Sequence, residues 1–255
     1  MTPRAGRVLV TRAANQAAPL ADALRAVGLD PVVVPAIAIE LHAAGGSGDA
    51  AAPILDAGGW IVVTSANGAH AVLAAGGRDA RRTNGPRWAA VGARTASVLE
   101  RAGMSVDFQP SAANAAALGE ELPVQPGDEV LLVRGDAADG SLPERLRARG
   151  AHVTDVVGYR TIEAPSRSRA LLRQAFDAGR PAAIVLASGS AARGLVALGR
   201  TERVDVTSVP AVCIGPETAS EATVNGFHVA ATALRRDVAS LAVATAAAVR
   251  VSEAR

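Results

Sequence analysis

The sequence predicts an α/β protein of two similar domains in which one pattern of strand, polar loop and helix recurs. Two observations predict it. The chain resembles itself, and short β-branched runs alternate with segments of helical period. Residues 8–28 (VLVTRAANQAAPLADALRAVG) match residues 130–150 (VLLVRGDAADGSLPERLRARG), with Arg12/Arg134, Leu20/Leu142, Leu24/Leu146 and Gly28/Gly150 in register. Residues 64–74 match 187–197 in the same way, and 91–106 match 214–229. Three blocks in one order, at a nearly constant offset of about 120 residues, mark an internal duplication.

Each block has the same local grammar. The apolar runs Trp60–Val63, Glu129–Val133 and Ala183–Leu186 read as strands buried on both faces, which is the signature of parallel sheets. A loop of Gly, Ser, Thr and Asn follows, and then a helix. In the first helix Leu20, Ala23, Leu24 and Val27 form the apolar stripe and Gly28 supplies the stop. Strands alternating with helices imply right-handed crossovers with helices on both faces of each sheet, a doubly wound arrangement. Ala43–Gly48 and Val124–Asp128 read as loops. Ala36–Leu41 and Gly158–Ile162 are short, β-rich and closed by turn residues, so they read as paired connectors between domains rather than as sheet strands.

Composition narrows the function. Half of the 255 residues are apolar but only 2% are aromatic, so the core is built from Val, Leu, Ile and Ala. All 26 basic residues are Arg, and 24 acidic residues leave a net charge of only +2. No basic stripe with stacking aromatics appears, which argues against nucleic acid. Arg forks suit a small substrate bearing carboxylates or phosphates. The lone Cys213 sits in the apolar run Val209–Ile214 and reads as a core residue rather than a nucleophile. The N-terminal residues lead directly into a strand pattern without the apolar region of a signal peptide. Val238–Val249 is too short and too often interrupted to span a bilayer, so a cytoplasmic protein without a membrane partner is expected.

In open α/β sheets ligands bind at the carboxyl ends of the strands, where helix N-termini offer amide N–H groups to anions. The candidate residues gather there: Thr11 and Arg12; Thr64, Ser65 and Asn67; Gly92 and Thr95; Arg134 and Gly135; Ser188 and Ser190; Gly215 and Thr218. Singly, Ser65, Thr95, Ser188 and Thr218 read as helix caps; as a set at one end of two sheets they read as ligand-binding. His42, His70, His152 and His228 lack metal-ligand spacing, and no P-loop, GxGxxG or GxSxG motif follows a strand. Chemistry without metal or cofactor is therefore expected. Tyr159 is the only tyrosine, and its phenol is either half-buried packing or a donor to a leaving group.

Taken together, VLVTR, WIVVTSANGAHAV, AVGARTASVLERAG, VLLVRG, VVGYRT and VCIGPETASEA resemble uroporphyrinogen-III synthase, from Val8 to about Val229. The resemblance implies two flavodoxin- or Rossmann-like domains joined by a two-stranded antiparallel ladder, with a cleft between them. Residues 1–36 and 164–255 would form the first domain and 37–163 the second, with the connectors Ile37–Leu41 and Gly158–Ile162 at its ends. It further implies hydroxymethylbilane as small-molecule substrate. Ring closure with inversion of the last pyrrole and loss of water would give uroporphyrinogen III. The family's tyrosine falls on Tyr159, its late threonine on Thr218, and its Thr-Ser loop on Thr64 and Ser65. Ser188 and Ser190 follow Ala187, where the family commonly carries threonine, so any hydroxyl role at position 187 is lost. Arg12 and Arg134 become carboxylate partners, with salt bridging as their alternative. A monomer receiving its substrate by transient handover from the preceding enzyme is expected. Two α/β lobes also describe periplasmic-type binding proteins, the non-enzymatic alternative.

Overall fold

The structure, a computed structural model, describes residues 6–41, 58–75 and 85–253; the loop expected at Ala43–Gly48, together with His42, lies outside them. The chain forms two compact units, one from Met1–Ala38 with Ile162–Arg255 and the other from Ile39–Thr161. It begins with β1 (Arg7–Val10), α1 (Ala18–Ala26) and β2 (Asp30–Val33). It continues through β3 (Ile37–Leu41), β4 (Trp60–Val63), α2 (Ala66–Ala74), β5 (Arg87–Ala90), α3 (Ala93–Arg101) and α4 (Ala115–Glu121). Then come β6 (Glu129–Gly135), α5 (Ser141–Ala148) and β7 (His152–Glu163). The remaining elements are α6 (Ser168–Asp177), β8 (Ala183–Leu186), α7 (Gly189–Glu202), β9 (Ala211–Cys213), α8 (Pro216–Val224), β10 (Val229–Thr232) and α9 (Val238–Glu253).

The first unit's sheet runs β10-β9-β8-β1-β2, and every neighbouring pair is parallel. Numbered within the unit, this is the 2-1-3-4-5 order of flavodoxin-like sheets. The second unit's sheet runs β3-β7-β6-β4-β5, with β7-β6-β4-β5 parallel and a parallel bridge from Ala89 to Phe108 beyond β5. Starting the count at β6 reproduces the first unit's order, with β6 standing for β1, β4 for β8 and β5 for β9. These are the strands of the matched sequence blocks.

Alternation along each strand sends side chains into two cores per sheet. Val8 and Val10 pack with Leu20 and Leu24 of α1 and Leu241 and Val249 of α9, whereas Leu9 packs with Leu172 of α6 and Leu195 of α7. In the second unit Ile61 and Val63 meet Val72 of α2 and Leu99 of α3, and Trp60 and Val62 meet Leu118 of α4 and Leu146 of α5. A fully buried leucine of this kind contributes about 1.5–3 kcal/mol. The matched glycines Gly28 and Gly150 have φ of 84° and 89°, the left-handed conformation that closes α1 and α5. No helix among the described residues is long and apolar enough to cross a membrane.

The chain passes from one unit to the other within Ile37–Leu41 and Gly158–Ile162, the two paired connectors expected. The correction is that they are sheet strands as well: Ile37–Leu41 is β3, hydrogen-bonded beside β7, and Gly158–Ile162 belongs to the far half of the twelve-residue β7. That half begins at a bulge. Arg134 pairs with Val157 and Gly135 with Tyr159, so Gly158 is the extra residue in an otherwise continuous strand. A Cβ on Gly158 would lie 2.6 Å from Val133 Cγ1 and 3.1 Å from Ala71 Cβ, so only glycine passes between β6 and α2.

Candidate functional site

In the second unit, β4 ends at Val63 and two half-buried hydroxyl residues, Thr64 and Ser65, turn the chain into α2. Ser65 is the N-cap: its backbone is extended and its Oγ accepts the Gly68 amide N–H at 3.1 Å. The same hydroxyl donates to the phenolic oxygen of Tyr159 at 3.1 Å. Tyr159 reaches it from β7 by crossing the end of β6. Its ring lies over Gly135, where a Cβ would stand 2.7 Å from Cζ and 2.8 Å from Oη. The Tyr159 carbonyl also accepts the Asp136 amide at 3.2 Å. The half-buried Asn67 sits in the first turn of α2. The carboxyl ends of three adjacent strands thus meet at one phenol.

The first unit repeats the caps without the phenol. Ser188, the counterpart of Ser65, accepts the Ala191 amide at 3.2 Å and lies 3.0 Å from the Ser190 hydroxyl. Gly92 and its counterpart Gly215 are the N-caps of α3 and α8, in extended backbone without a side-chain cap. Thr95 and Thr218 therefore do not cap. They occupy the third position of their helices, almost fully buried at 5% and 4% exposure.

The remaining candidates have other partners. Thr11 is wholly buried and donates to the Val185 carbonyl at 2.8 Å, a tie between β1 and β8. Arg12 is half-buried at the end of β1. Arg134 grips Asp155 through Nε at 2.6 Å and Nη2 at 2.5 Å, and its Nη1 donates to the Asp139 carbonyl. The bidentate carboxylate holds this guanidinium above its ordinary pKa, so it stays charged. In the first unit Arg193 is held likewise by Glu163 and Glu221, and Arg236 covers Gly215 while pairing with Glu217 at 2.5 Å.

Sequence reasoning missed Asp155, because its meeting with Arg134 depends on the β6–β7 register. It also missed Arg94, exposed at the second position of α3 and without an ion pair among the described residues. Its signal was available: Arg94 lies between the candidates Gly92 and Thr95, at the position where the other block carries the acidic Glu217.

Fold and site together define a duplicated α/β protein whose hydroxyls, glycines and helix starts gather where flavodoxin-ordered sheets bind small ligands. The chain matches the family described as Uroporphyrinogen-III synthase HemD over residues 18–242 and belongs to that family. It is 28% identical over 221 residues to the "Porphyrin biosynthesis protein HemD" of Ruminiclostridium josui, covering 85% of this chain and 43% of that protein, so the chain spans under half of that relative's length. It is also 28% identical to the uroporphyrinogen-III synthase of Chlorobaculum parvum, with 80% and 84% covered. Among solved structures, a mutant uroporphyrinogen III synthase of the extreme thermophile Thermus thermophilus superposes with a TM-score of 0.62 at 19% identity, over 97% of this chain and all of the other. The Helicobacter pylori enzyme gives 0.59 at 15% identity, over 99% and 100%. These superpositions carry the fold.

Proposed function

We propose that the protein is a cytoplasmic uroporphyrinogen-III synthase that closes hydroxymethylbilane to uroporphyrinogen III, inverting the last pyrrole and losing one water. The observation that carries this reading is the family match across residues 18–242, on both halves of the duplication. The chemistry is consistent with the groups present. Tyr159 gives its proton to the departing hydroxyl while the pyrrole nitrogen lone pair replaces the breaking C–O bond. The proton released when the final ring recovers aromaticity restores the phenol, so only water is lost.

The main task is orientation, because closure without inversion gives the symmetrical isomer. Holding reacting carbons in a productive geometry supplies up to about 7–11 kcal/mol in the best intramolecular cases. The helix starts at Ser65, Gly92, Ser188 and Gly215 suit the substrate's carboxylates, with Thr64, Asn67, Thr95, Gly135, Ser190 and Thr218 beside them and Arg12 and Arg94 as cations. Arg134, whose fork is taken by Asp155 and the Asp139 carbonyl, fits the salt-bridging alternative and orders this end of β6. Thr11 supports this end of the sheet through its bond to Val185.

The test is to supply purified protein with freshly generated hydroxymethylbilane and to separate the product isomers. Formation of the inverted isomer faster than spontaneous closure is expected; the symmetrical isomer alone would reject the reading. We further propose that the protein acts as a monomer and takes its substrate by transient handover from the enzyme that makes it. A stable dimer in light scattering at assay concentration would contradict the first part.

A further inference from the structure

We infer that Ser65 is a positioning residue, acting through Tyr159 to set the direction of the phenol's proton. A serine hydroxyl has one proton and two lone pairs. At Ser65 one lone pair takes the Gly68 amide N–H at 3.1 Å, and the proton goes to the phenolic oxygen of Tyr159, also at 3.1 Å. The phenolic oxygen is therefore an acceptor on the Ser65 side, and its own O–H is left to point away from α2. The backbone amide that anchors the cap fixes the serine rotor, and the serine in turn fixes the phenol.

Two further features hold the ring where this hydrogen bond can form. The bulge at Gly158 gives Tyr159 the register place opposite Gly135, which strict pairing would give to Gly158. The bare Cα of Gly135 makes room for the ring, since any side chain there would strike Cζ and Oη. The matched cap in the first unit directs nothing comparable: Ser188 has Ser190 at 3.0 Å as its side-chain neighbour. The duplication therefore supplies two similar caps, of which one has been turned to orienting an acid.

This inference rests on the proposed activity for its kinetic arm but not for its spectroscopic one. Tyr159 is the only tyrosine, so the tyrosine Fermi doublet in the Raman spectrum reports this phenol alone. The doublet's intensity ratio is high when the phenolic oxygen accepts a hydrogen bond and low when the phenol donates one. Ser65→Asp keeps a strong N-cap but offers only acceptors, so it separates capping from proton direction. The expected ratio is high in the wild type and in Ser65→Thr, reduced in Ser65→Ala, and lowest in Ser65→Asp.

With hydroxymethylbilane, Ser65→Asp should lower kcat about tenfold, as loss of one oriented hydrogen bond implies, and should raise KM separately, because its carboxylate repels those of the substrate. Ser65→Thr should recover most of that loss. In a Tyr159→Phe background the rise in KM from Ser65→Asp should remain while its effect on kcat disappears. A Raman ratio that stays the same in Ser65→Ala and Ser65→Asp overturns the inference. So does an equal kcat loss from Ser65→Asp with and without the phenol. If the wild type forms no inverted isomer, the proposed activity fails while the Raman series still decides whether Ser65 directs the phenol.

Discussion

At Gly135 the absence of a side chain is what makes room for the Tyr159 ring. The Tyr159 ring occupies the space a Cβ would fill, at 2.7 Å from Cζ, well inside van der Waals contact. Gly135→Ala must therefore displace the ring rather than the backbone, and Tyr159 then loses its hydrogen bond to Ser65. Tyr159→Phe is expected to lower the rate of isomer formation about tenfold to a hundredfold while leaving the thermal midpoint nearly unchanged. Gly135→Ala should fall to a similar rate, and the double variant should be no slower than the slower single one. Additive losses would show that Gly135 acts on something besides the phenol. Thr64→Val offers a contrast, because backbone groups dominate the proposed binding surface. Its cost should stay within about fivefold in kcat/KM, the scale of one modest hydrogen bond. Complete inactivity would indicate an essential hydroxyl instead.

The elements show what could be read from sequence and what could not. The flavodoxin-like strand order came only with the family resemblance and the sheet pairing, whereas strand and helix order, the doubly wound alternation and the glycine stops at Gly28 and Gly150 all follow from periodicity and turn chemistry, which are local properties. The candidate loops were found for the same reason, since each follows an apolar run. Cap assignment was harder. Ser65 and Ser188 cap as their sequence suggests, but Thr95 and Thr218 sit one turn too deep, and the caps fall on Gly92 and Gly215. The continuous β7 and the Arg134–Asp155 pair were hidden because both depend on register between strands. The burial of Thr11 depends on β8, more than 170 residues away in the chain. The cap at Ser188 also makes a measurable claim about α7. Ser188→Ala removes the acceptor for the Ala191 amide and should cost about 1 kcal/mol of stability, with Ser188→Thr or Ser188→Asp costing much less. Chemical denaturation of the three variants would test this, and equal stability of all three would remove the cap from the account.

For the whole molecule, the two units carry reporters that do not overlap. Both tryptophans, Trp60 and Trp88, lie in the core of the second unit, and the only cysteine, Cys213, lies fully buried in the first. Burial alone pushes the Cys213 thiol up to about 11 from its ordinary 9.0. Below pH 9 the thiol is protonated in both folded and unfolded chains and has no effect on the balance. Between pH 9 and 11 the unfolded chain releases a proton that the folded chain keeps, so folding stability falls as pH rises. The loss approaches at most about 2–3 kcal/mol, at roughly 1.36 kcal/mol per unit. Cys213→Ala should flatten stability across that window, and an unchanged slope would place its origin elsewhere. The same thiol can show whether the units unfold separately. Residues 39–161 form a continuous segment whose described residues build two cores of their own, and domains of that kind generally fold as units. Leu195→Ala opens a cavity in the first unit and should cost about 2–5 kcal/mol there. Thiol labelling of Cys213 should then begin at lower urea than in the wild type, while the tryptophan fluorescence midpoint stays in place. A shift of both signals together would instead make the two units one cooperative structure.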